Sequence, residues 1–309
     1  MKKIGIFLIT KNRYLAVKEY LYNILDECKI NNIDIVIVDS SENDDIFDLV
    51  KNFNALNIIY LRYLDNVKVS IDKKVIWVVK KFFNEYEYMW FSSDGVIPNI
   101  KKLTQELDEN LDLLVYDNEH KYICEYIYVP NLLLKKYCWR MTMLSSCIVS
   151  SKLLKNSLKF YKENNNLGFW LPMIYFYYYA INNKCFVKFV GDKNLWEKNR
   201  YIRPSFWLVS GNLLWQWGKI WVESIEALPK IYEKEKQETI LSHDKNMKLF
   251  SIKKLISVQE WGNISLKKIK KYKNYIAKIT DTNIFVFYFV TIFYKSYFIK
   301  WIKNILKKR

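Results

Sequence analysis

Four short apolar runs, Ile4–Ile9 (IGIFLI), Ile33–Val38 (IDIVIV), Ile58–Arg62 (IIYLR) and Tyr88–Phe91 (YMWF), recur through the first hundred residues. Between them the apolar positions change to helical spacing. In Tyr14–Lys29 they fall at Leu15, Tyr20, Leu21, Ile24 and Leu25, and Asp45–Phe53 and Asp72–Phe83 read as two further helices. A run apolar at nearly every position suits a strand covered on both faces, and strands alternating with amphipathic helices are what a parallel sheet with crossover helices produces. The expected fold class is α/β, with a mainly parallel central sheet flanked by helices. After Pro98 the pattern predicts a helix over Asn99–Glu109, a strand at Leu111–Tyr116, a further candidate at Met143–Val149, an aromatic helix over Phe169–Ile181 and a last strand at Cys185–Val190. From Asn212 onward it turns helical and rich in tryptophan.

Charge divides the chain unevenly. Of a net +17, an excess of 13 lies in residues 230–309, where 19 Lys+Arg face six Asp+Glu. The expected organisation is therefore a domain over residues 1–229 and a basic, helical, aromatic region over 230–309. A basic excess at one end points to an anionic partner for that end. The 51% hydrophobic content excludes a disordered chain, and seven Gly and five Pro exclude collagen-like or linker-rich designs. Five dispersed cysteines without a C-x-x-C pair, and two histidines, His120 and His243, allow no zinc constellation. Reduced, mostly buried thiols are expected. Met1-Lys2-Lys3 opens on basic residues, but Ile4–Thr10 is short for the apolar stretch of a signal peptide and reads as a first strand.

Polar residues gather just beyond three of the strands: Thr10-Lys11-Asn12-Arg13, Asp39-Ser40-Ser41 and Ser92-Ser93-Asp94-Gly95. Open α/β sheets bind ligands outside the carboxyl ends of their strands, so three such clusters suggest one site. Helix capping is the competing explanation for each cluster alone.

These clusters, with Val38-Asp39-Ser40-Ser41, Asn43-Asp44-Asp45, Val69–Val75 (VSIDKKV) and Tyr88–Gly95 (YMWFSSDG), resemble the family 2 glycosyltransferases, nucleotide-sugar enzymes of the GT-A fold. The likeness covers about the first 120 residues by motif and the remainder by order of elements. It implies that Thr10, Asn12, Arg13, Asp39 and Ser41 hold the nucleotide, joined by Asp72 and Lys74, with Ser93, Asp94 and Gly95 at the diphosphate. Asp39 would accept from the uracil N–H, while Arg13, Lys73 and Lys74 would meet the diphosphate charge. Asp94 would stand in the metal motif, holding Mg²⁺ or Mn²⁺ against the leaving diphosphate.

The sequence departs from the family at two places. The common Asp-x-Asp is Asp94-Gly95-Val96 here, so the second carboxylate of the metal motif is absent, and Arg200 or Lys198 are candidate replacements for its charge. The general base that an inverting transfer requires is not written as an acidic pair before the Phe169 helix. Glu163 is the acid available there, with Asp117, Glu119 and His120 as rivals. The indoles of Trp196, Trp207, Trp215, Trp217 and Trp221 either stack on an acceptor sugar or pack helices.

Within the basic region, Ser265–Ile279 is cationic with apolar residues at helical spacing, and Ile284–Tyr294 (IFVFYFVTIFY) is an eleven-residue apolar run ended by Lys295. A membrane span needs about 20 apolar residues, whereas aromatics opposite lysines suit a helix lying in an anionic membrane interface. A homodimer surface is the alternative, and nucleic acid is disfavoured by the long apolar run. The expected function is transfer of a hexose from a UDP-sugar to a lipid-linked saccharide in capsule or exopolysaccharide synthesis, with inversion, by a cytoplasmic protein peripheral on the inner face of the membrane. A catalytically degenerate partner subunit of another membrane glycosyltransferase is the alternative.

Overall fold

The computed structural model describes residues 2–53, 55–63, 71–119, 121–161, 170–201, 211–259 and 261–294. The chain divides into two compact units. The first comprises Met1–Leu133, Arg140–Tyr161 and Ile174–Arg203; the second comprises Leu134–Trp139, Lys162–Met173 and Pro204–Arg309.

In the first unit the strands are β1 (Lys2–Thr10), β2 (Asp34–Asp39), β3 (Ile58–Arg62), β4 (Tyr86–Ser93), β6 (Leu113–Asp117), β7 (Ile123–Ile127), β8 (Cys147–Ser150) and β9 (Val187–Gly191). They form an eight-stranded sheet in the order β3-β2-β1-β4-β8-β6-β9-β7. Pairings β3–β2, β2–β1, β1–β4 and β6–β9 are parallel, and those of β8 with β4 and β6, and of β7 with β9, are antiparallel. A short ribbon of β5 (Val96–Pro98) against β10 (Trp196–Lys198) carries the chain away from the end of β4 and back. Crossover helices α1 (Tyr14–Ile30), α2 (Asp45–Phe53) and α3 (Ile71–Phe82) join the first four strands.

The central strands are as covered as their sequences imply, with Ile6, Phe7, Leu8 and every residue of β2 buried. Helix α1 turns Val17, Tyr20, Leu21 and Ile24 onto them. Gly5 is needed for close approach, because a Cβ there would lie 2.9 Å from Cδ1 of the Tyr86 ring. Helix α4 (Ile100–Gln105) is capped by the Asn99 side chain, which accepts from the Lys102 N–H at 3.0 Å, and is shorter than the expected Asn99–Glu109. Beyond it, Glu106 and Asp108 turn to the ammonium of Lys188 on β9. Several elements escape the sequence reading, among them β5, β7, β10 and the helix α5 (Pro130–Met141) that follows β7. Helices α6 (Ser151–Ser157) and α7 (Trp170–Asn182) come next along the chain.

The second unit is helical. A π-helical segment, Leu214–Ile220, runs into α8 (Trp221–Glu226), followed by α9 (Glu233–Met247), α10 (Ile252–Gln259), α11 (Leu266–Ile279) and α12 (Ile284–Phe293). Within its largely aliphatic core His243 is enclosed between the rings of Trp217 and Trp221, with centroids 4.1 and 4.5 Å away. Burial there pulls the His243 imidazole pKa well below its ordinary value. All five cysteines are free, four of them buried and Cys124 exposed.

The parallel register sets up everything that follows. Thr10 pairs with Asp39, Asp39 with Arg62, and Ile9 with Ser93, so the carboxyl ends of β3, β2, β1 and β4 lie side by side.

Candidate functional site

At those strand ends, polar side chains replace the apolar core, and two linked clusters form. In the first, Asp94 follows the end of β4 with its carboxylate turned inward and 2% exposed. Its Oδ2 accepts from the Thr10 hydroxyl at 2.7 Å, and its Oδ1 accepts from Nη1 of Arg13 at 2.6 Å. Lys74, one turn into α3 and also enclosed, donates through Nζ to the Thr10 carbonyl at 3.1 Å. Burial raises the Asp94 pKa above the usual carboxylate range, opposed by Arg13, Thr10 and Lys74. Burial also brings the Lys74 pKa from its ordinary 10.5 to about 8, opposed by the charges of Asp39 and Asp94.

The second cluster holds the loop after β2. The fully buried Asp39 accepts at Oδ1 from both the N–H (2.8 Å) and the hydroxyl (2.5 Å) of Ser41, and at Oδ2 from the Tyr60 hydroxyl at 3.0 Å. Burial, reinforced by Asp39, pushes the Tyr60 phenol up to about 12. Arg62, at the end of β3, donates to the Tyr60 hydroxyl at 2.9 Å and to the carbonyls of Ser41 and Asn43 at 3.2 and 3.0 Å, and pairs with Asp44. Asn12 joins the loops: its N–H donates to the Ser41 hydroxyl at 2.7 Å, and its side-chain oxygen accepts from the Glu42 N–H at 3.2 Å. That bridge uses a left-handed backbone at Asn12 (φ 52°), which asparagine tolerates. A cavity of about 210 Å³ lies beside it, lined by Asn12, Arg13, Tyr14, Asn43, Asp45 and Tyr201 among others.

Thr10, Arg13, Lys74 and Asp94 thus meet in one cluster, and Asn12, Asp39 and Ser41 in the other. Ser93 faces another way: its N–H and hydroxyl meet the Ser145 hydroxyl at 2.8 and 3.0 Å. The Gly95 carbonyl accepts from the N–H of the buried Asn199, whose side chain donates to the Ala16 carbonyl at 2.8 Å. Asp72 is half-buried in the first turn of α3, and Lys73 beside it is exposed. Glu163, His120 and Trp207 lie outside the described residues, as does the segment 64–70. Asp117, at the end of β6, pairs with Arg140 at 2.6 Å, and burial raises its pKa against that guanidinium. Glu119 is half-buried just beyond it. Arg200 is mostly exposed and paired with Glu19 at 2.5 Å, and Lys198 is exposed. Trp217 and Trp221 are core residues, Trp196 is half-buried on β10, and Trp215 is exposed. Sequence reasoning misses Tyr60, Arg62, Ser145, Asn199 and Tyr201. Of these, Arg62 carries a signal, a cation ending an apolar strand.

The divalent cation that the family resemblance implies does not suit this donor set. Each oxygen of Asp94 already accepts from a neighbour, one of them a guanidinium. Gly95 and Val96 follow with no side-chain oxygen, and no group of three His, Cys, Asp or Glu positioned to hold a metal occurs among the described residues. Mg²⁺ and Mn²⁺ call for several oxygen ligands, and a dication beside Oδ1 would face the Arg13 charge.

No protein-family model matches the sequence, and a comparison with curated proteins gives no match. Solved structures do resemble it. Residues 1–349 of S. aureus TarS match at 15% identity with a TM-score of 0.54, over 95% of this chain and 91% of that one. Against a longer TarS structure the TM-score is 0.57, and the chain spans about half of that protein, 49%. The Pyrobaculum calidifontis mannosyltransferase PcManGT, in complex with GDP-Man and Mn²⁺, matches at 10% identity and a TM-score of 0.52, over 94% of this chain and 87% of that one. The mixed α/β fold with its mainly parallel eight-stranded sheet is the GT-A fold of these proteins.

Proposed function

We propose that this protein is a glycosyltransferase of the family 2 type that moves a hexose from a UDP-sugar to a lipid-linked saccharide with inversion, in capsule or exopolysaccharide synthesis. The observation that carries the reading is the enclosed cluster of Thr10, Arg13, Lys74 and Asp94 at the carboxyl ends of β1 and β4. Two cations are held there beside the ordered loop of Asn12, Asp39 and Ser41, an arrangement suited to a nucleoside next to a diphosphate. Among the fold's relatives, one TarS structure is a complex with UDP and the PcManGT structure holds GDP-Man.

In this reading the Asp39 loop seats the base, with Tyr60 and Arg62 fixing its shape. The acceptor hydroxyl oxygen attacks the anomeric carbon, and the bond from that carbon to the diphosphate breaks with its electron pair leaving on the diphosphate. Arg13 and Lys74 meet the charge that develops there. The hydroxyl proton passes to a side-chain base, for which Glu163 is our candidate and Asp117, Glu119 and His120 are the rivals.

The lipid-linked acceptor fits the second unit. On α12, Phe285, Phe289, Ile292 and Phe293 are exposed, while Phe287 and Val290 turn inward. Helix α11 exposes Lys267, Lys270, Lys271 and Lys273. No helix among the described residues is long and apolar enough to cross a membrane. An anionic lipid surface matches apolar side chains beside lysines, each lysine contributing about 1 kcal/mol near such a leaflet. The test is release of UDP, GDP or dTDP from their hexose conjugates in the presence of a polyprenyl-diphosphate-linked saccharide. Turnover that is lost with Asp94→Ala in a folded protein supports the reading. No turnover with any donor would favour the non-catalytic partner subunit, which the single carboxylate at Asp94 also suggests.

A further inference from the structure

We propose that Arg13 and Lys74 take the place of a divalent cation at the donor diphosphate, with Asp94 as the positioning residue that holds Arg13, so that donor binding is indifferent to Mg²⁺ and Mn²⁺. The inference rests on the nucleotide-sugar reading above and goes beyond it. Three observations carry it.

The first is the engagement of Asp94. Its two oxygens accept from a hydroxyl at 2.7 Å and a guanidinium at 2.6 Å, in a setting where the carboxylate is 2% exposed. A cation ligand in that position would have to displace Arg13 or share Oδ1 with it. Sharing sets two positive centres against each other in a poorly screened place. The second is the surrounding donor set. Ser93 is turned to Ser145, Gly95 and Val96 supply no side-chain oxygen, and Asp39 is committed to Ser41 and Tyr60.

The third is the placement of Lys74. Lysines are almost never enclosed without a reason. This one is 6% exposed, at the strand ends, with Nζ on the Thr10 carbonyl. An ammonium has three donors, so one bond to Thr10 leaves donors for an anion. The Arg13 side chain remains 26% exposed while its Nη1 is bound to Asp94, and a guanidinium has five N–H donors, so further donors remain for phosphate oxygens. Thr10 ties the two cations together, its hydroxyl on Asp94 and its carbonyl on Lys74. Asp94 in this scheme orients Arg13 and never touches the donor.

The experiment is calorimetric titration of the full chain with UDP, in excess chelator and in excess Mn²⁺. The affinities are expected to agree within about threefold, while Arg13→Gln and Lys74→Gln each weaken UDP about tenfold or more in both conditions. Asp94→Asn, which keeps the shape and the Thr10 contact, is expected to weaken UDP while leaving it metal-indifferent. Thermal melts of each variant separate lost binding from lost fold, and Arg13→Lys supplies a milder variant. UDP binding that requires Mn²⁺ and vanishes in a stably folded Asp94→Asn would overturn the inference and keep the donor reading. Failure of UDP, GDP and dTDP in both conditions would remove the donor reading and the inference with it.

Discussion

Lys74 and Lys271 both project from helices of this chain, but their surroundings differ completely. Lys74 is enclosed at the strand ends of the first unit, hydrogen-bonded to Thr10, with burial depressing its pKa to about 8. Lys271 is exposed on α11 of the second unit, its ammonium 5.2 Å from the ring centroid of the neighbouring Tyr272. The contrast extends to their neighbours. Around Lys74 the charged side chains Arg13 and Asp94 are fixed by short hydrogen bonds, whereas in the second unit α11 exposes lysines and α12 exposes phenylalanine rings. Enclosed, oriented charge suits a small ligand of defined shape; exposed charge beside apolar surface suits a broad and fluid partner.

If the units divide the work in this way, damage to one core should spare the other's ligand. The largest expected effect is at Trp221, fully buried, with its indole N–H on the Ile240 carbonyl at 3.0 Å and its ring against His243. Trp221→Ala is expected to cost about 3–5 kcal/mol of stability. At a temperature well below the lowered melt, UDP affinity by titration should be unchanged; a parallel loss of affinity would break the division.

A smaller effect is expected from pH. Because the pKa of Lys74 falls from 10.5 to about 8 on folding, the folded state disfavours its charge. Stability should therefore gain as pH rises from about 8 towards 10.5, where the unfolded chain still binds the proton. Donor affinity should run the opposite way, falling as Lys74 loses its charge above about 8. Lys74→Met should flatten both profiles, read by thermal melts and UDP titration across that range. An unchanged affinity profile in the variant would detach Lys74 from the donor.

The smallest effect belongs to the second unit. Phe289→Ser, at an exposed position of α12, should weaken sedimentation with vesicles containing anionic phosphatidylglycerol by roughly 1–2 kcal/mol, with UDP affinity untouched. Binding to neutral vesicles as tight as to anionic ones would remove the electrostatic part of that surface.

The same contrast explains what could be read in the sequence. Strands β1, β2 and β4 announce themselves because both faces are covered, so their apolar runs are nearly unbroken. Strand β7 is an edge strand whose Ile123, Tyr126 and flanking Tyr122 and Tyr128 are exposed, and Ile-Cys-Glu-Tyr-Ile shows no clean alternation. Helix α5 does offer a start signal, Pro130 in its first turn. At the site, the residues at strand ends are legible because parallel strands deliver their termini to one edge. Their partners are not: Asn199 reaches the Ala16 carbonyl across 183 residues, and Ser145 reaches Ser93 from a turn without a motif. Such pairings follow from the packed sheet and leave no local pattern. The engagement of Asp94 by Arg13 is equally hidden, since a carboxylate reads alike in sequence whether it meets a metal or a guanidinium.

The most direct test of the account is a crystal structure of the full chain with UDP bound. The account predicts the diphosphate within hydrogen-bond reach of Arg13 and Lys74, the uracil beside the Asp39 loop, and Asp94 still on Thr10 and Arg13. A diphosphate seated away from both cations, or an Asp94 turned from Arg13 to a metal ion, would contradict it.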